Sequence, residues 1–177
     1  MSNDITNINF LSPFSFELII KNKPNVTYFC QRANIPGLSL GFAPQPTFFA
    51  SPIPRPGDLV YNDLTISFKV DESLNSYREI WNWMVALGFP VDFSQYKNIL
   101  QQDSPLRPGV GETVSDLTLM VLDNNHRPRF EITFEDAFPI TLSDLTFDAT
   151  ETDVNFLTAE VSFKYKLYQI HPINGQV

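Results

Sequence analysis

Leu64, Ile66, Phe68 and Val70 alternate with Thr65, Ser67 and Lys69, and this strict period of two constrains the fold more than any other feature of the sequence. Successive side chains of a strand point to opposite faces, so this segment has one apolar and one polar face. The same alternation marks Phe14 to Ile20, through Phe14, Phe16, Leu18 and Ile20. It runs longest in Asn155 to Ile170, where Leu157, Ala159, Val161, Phe163, Tyr165 and Leu167 alternate with Thr158, Glu160, Ser162, Lys164 and Lys166. Strands with one wet face belong to antiparallel sheets, so the chain reads as mainly β.

The other elements follow from local signals. Lys21 to Asn25 is a polar turn, and a second strand over Val26 to Ala33 would complete a hairpin with the first. Leu117 to Leu122 and Arg129 to Phe134 form another hairpin across Asp123-Asn124-Asn125-His126, and Ile140 to Leu142 and Leu145 to Phe147 are short strands. Asp-Leu-Thr recurs at Asp63, Asp116 and Asp144 as a turn residue followed by strand formers, without a constant period. In one segment the period becomes helical: Tyr77, Ile80, Trp81, Met84 and Leu87. Ser76 and Glu79 match a capping box, with Ser73 as an alternative start, and Gly88 and Pro90 supply the stop. This amphipathic helix, about Ser76 to Leu87, is expected to bury Trp81 and Tyr77 on the sheet. Asp92 to Thr113 is an irregular excursion punctuated by Pro105, Pro108, Gly109 and Gly111, with Phe93 to Gln101 as a candidate helical turn.

Leu38 to Asp63 holds Pro44, Pro46, Pro52, Pro54 and Pro56, interleaved with Phe42, Phe48, Phe49 and Ile53. Proline cannot donate to a ladder, so regular pairing is not expected here. A proline-stiffened segment this apolar is an ordered arm rather than a linker. Its apolar groups need a surface, either on the parent domain or on a neighbouring subunit. Phe42, Phe48, Phe49, Ile53 and Arg55, in the arm spanning residues 41–63, are the self-assembly candidates.

The chain of 177 residues, 43% hydrophobic, suits a single domain over 1–177 with a real core. Its net charge of −8 disfavours sequence-neutral binding to DNA; by composition it serves first to keep the protein soluble, and it would also suit a passage through which DNA moves without sticking. Cys30 is the only cysteine, which excludes an internal disulfide and a cysteine metal cluster and fits a reducing cytosol. Met1 to Phe10 lacks the basic start and apolar run of a signal peptide, and no apolar stretch approaches membrane-spanning length. His126 falls in a turn, His171 precedes Pro172, and Cys30 sits in an expected strand. The carboxylate pairs Asp71-Glu72, Glu135-Asp136 and Glu151-Asp153 lie at strand ends without ligand spacing around them. No phosphate loop, nucleophile elbow or zinc pattern occurs. The residues point to a non-enzyme with no catalytic residue, metal or cofactor.

Phe29-Cys30-Gln31-Arg32-Ala33-Asn34-Ile35-Pro36-Gly37, Gly57-Asp58, Tyr61 to Phe68, Val70-Asp71-Glu72, Tyr77 to Trp83, Phe138-Pro139 and Leu142 to Asp148 come in an order that resembles the tail tube proteins of contractile-tailed phages, relatives of the type VI secretion tube protein. The resemblance implies an antiparallel β-sandwich or barrel-like subunit with a flanking helix. It implies homohexameric rings, stacked into a tube within a tail sheath between baseplate and terminator proteins. DNA would pass through without specific binding. The place would be the virion tail, after synthesis in the host bacterial cytoplasm. A tube initiator or terminator of the same fold is an alternative. An alternative of another class is a monomeric β-sandwich binding module, with Phe48-Phe49 as exposed aromatics.

Overall fold

The computed structural model describes residues 15–21, 23–48, 51–88, 113–148, 150 and 156–173. The expectations for Met1–Phe10, Phe14, Phe49, Pro90, 92–112, Glu151-Asp153 and the extreme C-terminus lie outside the described residues. The described residues form β1 (Phe16–Ile20), α1 (Pro24–Phe29), β2 (Cys30–Ala33), β3 (Leu38–Gln45), β4 (Ile53–Tyr61), β5 (Leu64–Lys69), α2 (Asn75–Gly88), β6 (Ser115–Leu122), β7 (Pro128–Leu142), β8 (Thr158–Lys164) and β9 (Leu167–Pro172). The fold is mainly β and antiparallel, as its alternation required.

The body is built around β7. Its first half pairs with β6 on one side and β9 on the other, and β1 continues beyond β6. Its second half pairs with β8, which leads on to β5 and β2. Asp136 marks the change, with a left-handed φ of 53°. Core-facing residues shift parity there, from Ile132 and Phe134 to Ala137 and Pro139. A bulge inserts one residue and bends the strand, so one strand serves two sheets. Beyond Ala137, β8 alone of the described strands pairs with β7, and such an edge-like position tolerates Pro139.

The apolar faces of both sheets meet in one core. Leu18 and Ile20 of β1, Leu117 and Leu119 of β6, and Ile132 and Phe134 of β7 join Leu64, Ile66 and Phe68 of β5 and Val161 and Phe163 of β8.

Several expectations are corrected. Val26 to Phe29 is helical rather than a strand, and β1 pairs with β6 instead of β2. Pro24 opens the helix, a position that wants no N–H donor and a preset φ. Thr27 fixes it: its hydroxyl donates to the Lys23 carbonyl at 3.1 Å and accepts from Ile20 N at 3.1 Å. Val26 and Phe29, three apart, then pack on the core, and this contact overrides the strand propensity of the run. Leu145 to Phe147 is not a strand, and Ile140 to Leu142 continues β7. The long final strand breaks at Tyr165-Lys166, opposite the bend in β7.

The helix stands where expected, but its buried face differs. Trp83 is buried at 4% exposure and Trp81 is half exposed at 50%. Ile80 and Trp83 are three apart and share a stripe with Ser76, whereas Trp81 lies about 100° further round from Ile80. Tyr77, Met84 and Leu87 flank that stripe. Nor does Ser76 cap the helix. It lies within the first turn, and its amide and hydroxyl both donate to Asp71 Oδ1, at 2.9 and 2.8 Å. Asp71 is the cap acceptor.

Prolines do not prevent pairing in the arm. β3 and β4 form a two-stranded hairpin, with Pro44 opposite Pro54 and Phe42 opposite Pro56. Each strand of an isolated hairpin has one ladder and one free edge. The proline nitrogens, on alternate residues, face the free edge, where no bond is lost. The same prolines discourage further strands from adding there.

Candidate self-assembly surface

The arm carries a continuous run of exposed apolar groups. Every described residue from Gly37 to Val60 is exposed. The register places Leu38 opposite Tyr61, Leu40 opposite Leu59, Phe42 opposite Pro56 and Pro44 opposite Pro54. Directly opposed residues of an antiparallel pair share a face. These eight therefore make one face, and the tyrosine hydroxyl is its only polar side-chain atom. Phe42 is 74% exposed and Leu40 59%. The opposite face is mixed: Ser39 with Val60, Ala43 with Arg55, Gln45 with Ile53. There Arg55 Nε donates to Gln45 Oε1 at 2.8 Å.

A bulge keeps the apolar face continuous. The pairing shifts between Leu40 and Phe42, so that Gly41 faces both Gly57 and Asp58. The extra β4 residue moves Pro54 and Pro56 onto the face of Leu59 and Tyr61. Without it, the outer part of β4 would turn its other side to that face. The crossing is tight. A Cβ on Gly57 would lie 3.1 Å from the carbonyl carbon and oxygen of Gly41.

The five candidates thus do not form one patch. Phe42 belongs to the apolar face, while Ile53 and Arg55 belong to the other. Phe48 stands at the tip, 94% exposed, where Thr47 Oγ1 donates to the Ser51 carbonyl at 3.2 Å. Phe49 lies outside the described residues. Leu38, Leu40, Leu59 and Tyr61 went unnoticed in the sequence, although Leu38-Ser39-Leu40-Gly41-Phe42 carries the period-two signal.

The root of the arm is polar and aromatic. Asn62 N donates to the Gly37 carbonyl at 3.1 Å, closing the hairpin. Tyr165 donates its hydroxyl to the Asn62 carbonyl at 2.7 Å, and Tyr168 donates to the Pro36 carbonyl at 3.1 Å. The Tyr61 ring packs edge-on against both, with centroids 5.9 and 5.6 Å away. Phe134 sits beneath them, 5.0 Å from Tyr165 and 5.6 Å from Tyr168. Burial first, then Tyr168, Asp63 and Tyr61, pushes the Tyr165 phenol up to about 12. Asn34 ties the adjoining backbone by accepting from Thr65 N and donating to the Asp63 carbonyl. Lys164 pairs with Asp63.

The candidate reactive groups have structural settings. Burial raises the Cys30 thiol to about 11, against a backbone hydrogen bond at Arg32, so it is not a thiolate nucleophile near neutrality. His126 occupies the β6–β7 turn at φ 57°, and His171 pairs with Glu131 in the β7–β9 ladder. Asp71 caps α2, and Asp136 is the left-handed residue of the β7 bulge, where its N–H donates to Asp116 Oδ1 at 3.2 Å. Among the described residues, no group of three or more His, Cys, Asp or Glu is placed to hold a metal ion. Among the same residues, no helix is long and apolar enough to cross a membrane.

The family model of phage tail tube proteins matches residues 8–171. The chain belongs to the phage tail tube protein family. It is therefore a structural component of a virion tail and not an enzyme, which agrees with the settings of Cys30, His126 and His171.

Solved structures share the fold of this tail tube protein. The tube-terminating cap of the anti-feeding prophage aligns with a TM-score of 0.62 at 12% identity, covering 96% of each chain. A chain of the sheath–tube complex of an extracellular contractile injection system, PVC, aligns at 0.59 and 12% identity, covering 92% of each. A chain of the anti-feeding prophage baseplate aligns at 0.56 and 15%, covering 98% of this chain and 99% of that one. No curated protein matches the sequence.

Proposed function

We propose that this tail tube protein forms the inner tube of a contractile phage tail, as homohexameric rings stacked within a sheath around a channel for DNA. The observation that carries this reading is the β3–β4 arm: its eight opposed residues make an unbroken apolar face, and all of them but Tyr61 at the root are exposed. Burying a large apolar side chain is worth roughly 1.5–3 kcal/mol, so docking this face on a neighbour supplies a substantial drive to assemble. The likeness to chains from sheath–tube and baseplate structures supports the contractile setting, and the acidic balance suits a wall that DNA slides past. Sheath, baseplate and terminator proteins are then its partners.

The full chain should give rings or tubes by electron microscopy and a large species by sedimentation velocity. Leu40→Ser with Phe42→Ser should leave circular dichroism unchanged and return the protein to monomers. A wild-type chain that stays monomeric at every concentration would instead fit a binding module. A second reading, a ring that ends the tube, is favoured by the likeness to a tube-terminating cap. It would give single rings that never stack.

A further inference from the structure

We propose that Tyr165 and Tyr168 are positioning residues for assembly, clamping both legs of the β3–β4 arm so that its direction is set before a neighbour is met. This rests on the reading of the arm as the self-assembly surface.

Hydrogen bonds and ring contacts fasten the arm to the body at its root. From Gly37 to Val60 every described residue is exposed, so none of them is buried against the body. At the root, the two tyrosines divide the task. Tyr168 holds the carbonyl of Pro36, just before β3, and Tyr165 holds the carbonyl of Asn62, just after β4. The rings of both grip Tyr61, the last residue of β4. The hydroxyl hydrogen bonds span 103 and 132 residues of sequence, so they tie the arm to the far end of the chain. Tyr165 lies in the break between β8 and β9 and Tyr168 near the start of β9, opposite Phe134 of β7, whose ring packs against both. A root built on the bend of the principal ladder is a stiff root.

Leverage makes this stiffness matter. Eight residues of strand reach about 26 Å, so a swing of roughly 20° at the root carries the tip about 9 Å. A packed interface does not absorb such an error, and an arm free to swing must be ordered at each docking event. The high phenol pKa of Tyr165 keeps its hydroxyl a donor throughout the physiological range.

The test uses the full chain with Cys30→Ser, spin-labelled at Ala43→Cys on the arm and Asn124→Cys on the β6–β7 turn. The distance distribution in the unassembled subunit should be narrow, and it should broaden in Tyr165→Phe with Tyr168→Phe, which keeps both rings. The same double variant, unlabelled, should keep its circular dichroism and raise the concentration for half-assembly about tenfold. Equal widths in the two proteins would overturn the clamp, and broadening with unchanged assembly would overturn its role in positioning. If the double variant does not fold, Tyr168→Phe alone is judged by the same two readouts. Phe42→Ser separates the clamp from the underlying reading. Normal assembly by that variant removes the arm as the interface, while the distance widths still judge the clamp.

Discussion

Trp83 of α2 lies against Phe163 of β8, their ring centroids 6.0 Å apart and their planes at 47°. The indole N–H donates to the Thr113 carbonyl at 3.2 Å, and the Lys23 ammonium sits 5.7 Å from the ring centroid. One side chain thus joins α2, β8 and the lead-in to β6.

Trp83→Ala should accordingly cost about 3–5 kcal/mol of stability, the range for a large buried aromatic. Trp81→Ala, on the exposed side of the same helix, should cost under about 1 kcal/mol. Urea midpoints of the two variants measure the contrast, and equal losses would contradict the buried stripe.

Asp71 should make part of the stability acid-sensitive. Its carboxylate is held below the ordinary 3.8, chiefly by the backbone hydrogen bond from Ser76. A lowered folded pKa gives stability that is present above the ordinary value and is lost as pH falls through the folded one. Removing the cap acceptor in Asp71→Ala should cost about 0.5–2 kcal/mol near neutrality. That difference should stay constant above pH about 5 and shrink below about 4. A difference that grows on acidification would contradict the assignment.

Gly57→Val should act on the arm and spare the body. The new side chain meets Gly41 backbone at the bulge and must open the crossing. Amide exchange should quicken in β3 and β4 alone, the unfolding free energy from urea titration should change by less than about 0.5 kcal/mol, and assembly should weaken. Slower assembly without faster arm exchange would show that the bulge is not the point of failure.

Assembly should depend on which face of the arm is altered. Leu59→Ser, on the apolar face, should raise the half-assembly concentration about tenfold or more. Ala43→Ser, on the mixed face, should leave it within about twofold. Sedimentation velocity over a concentration series distinguishes them, and equal effects would mean that both faces are buried in the tube.

The triple variant Cys30→Ser, His126→Asn, His171→Asn should assemble like wild type. Asn suits position 126 because it accepts the left-handed backbone found there. Electron microscopy of the assembled material is sufficient, and a loss of rings with the fold intact would give one of the three a role not described above.

What could be read in advance was whatever repeats along a single element. The alternation of Leu64 to Val70 marked β5, and the Asp123 to His126 turn marked the β6–β7 hairpin. Helical spacing found α2 but misassigned its indoles, because Trp81 and Trp83 are separated by the geometry of the stripe and not by composition. Val26 to Phe29 has the residues of a strand, and only its docking on the core makes it a helix. The arm's prolines suggested broken pairing because their free edge was not visible in one dimension. The apolar face needed the register across a hairpin, bulge included, before Leu40 and Leu59 appeared beside Phe42. The tyrosine root joins positions more than a hundred residues apart, and no local pattern announces it.

The bend at Asp136 has a mechanical consequence. β7 faces β9 before the bend and β8 after it, in a ladder that resumes with Phe138 opposite Lys164 after Glu135 opposite Leu167. Between these pairs, Lys166 N still donates to the Glu135 carbonyl at 2.9 Å. Prising away either sheet therefore pulls on the same two stretches of chain, and load entering one sheet is passed directly to the other. A subunit made this way should yield to load as a single piece.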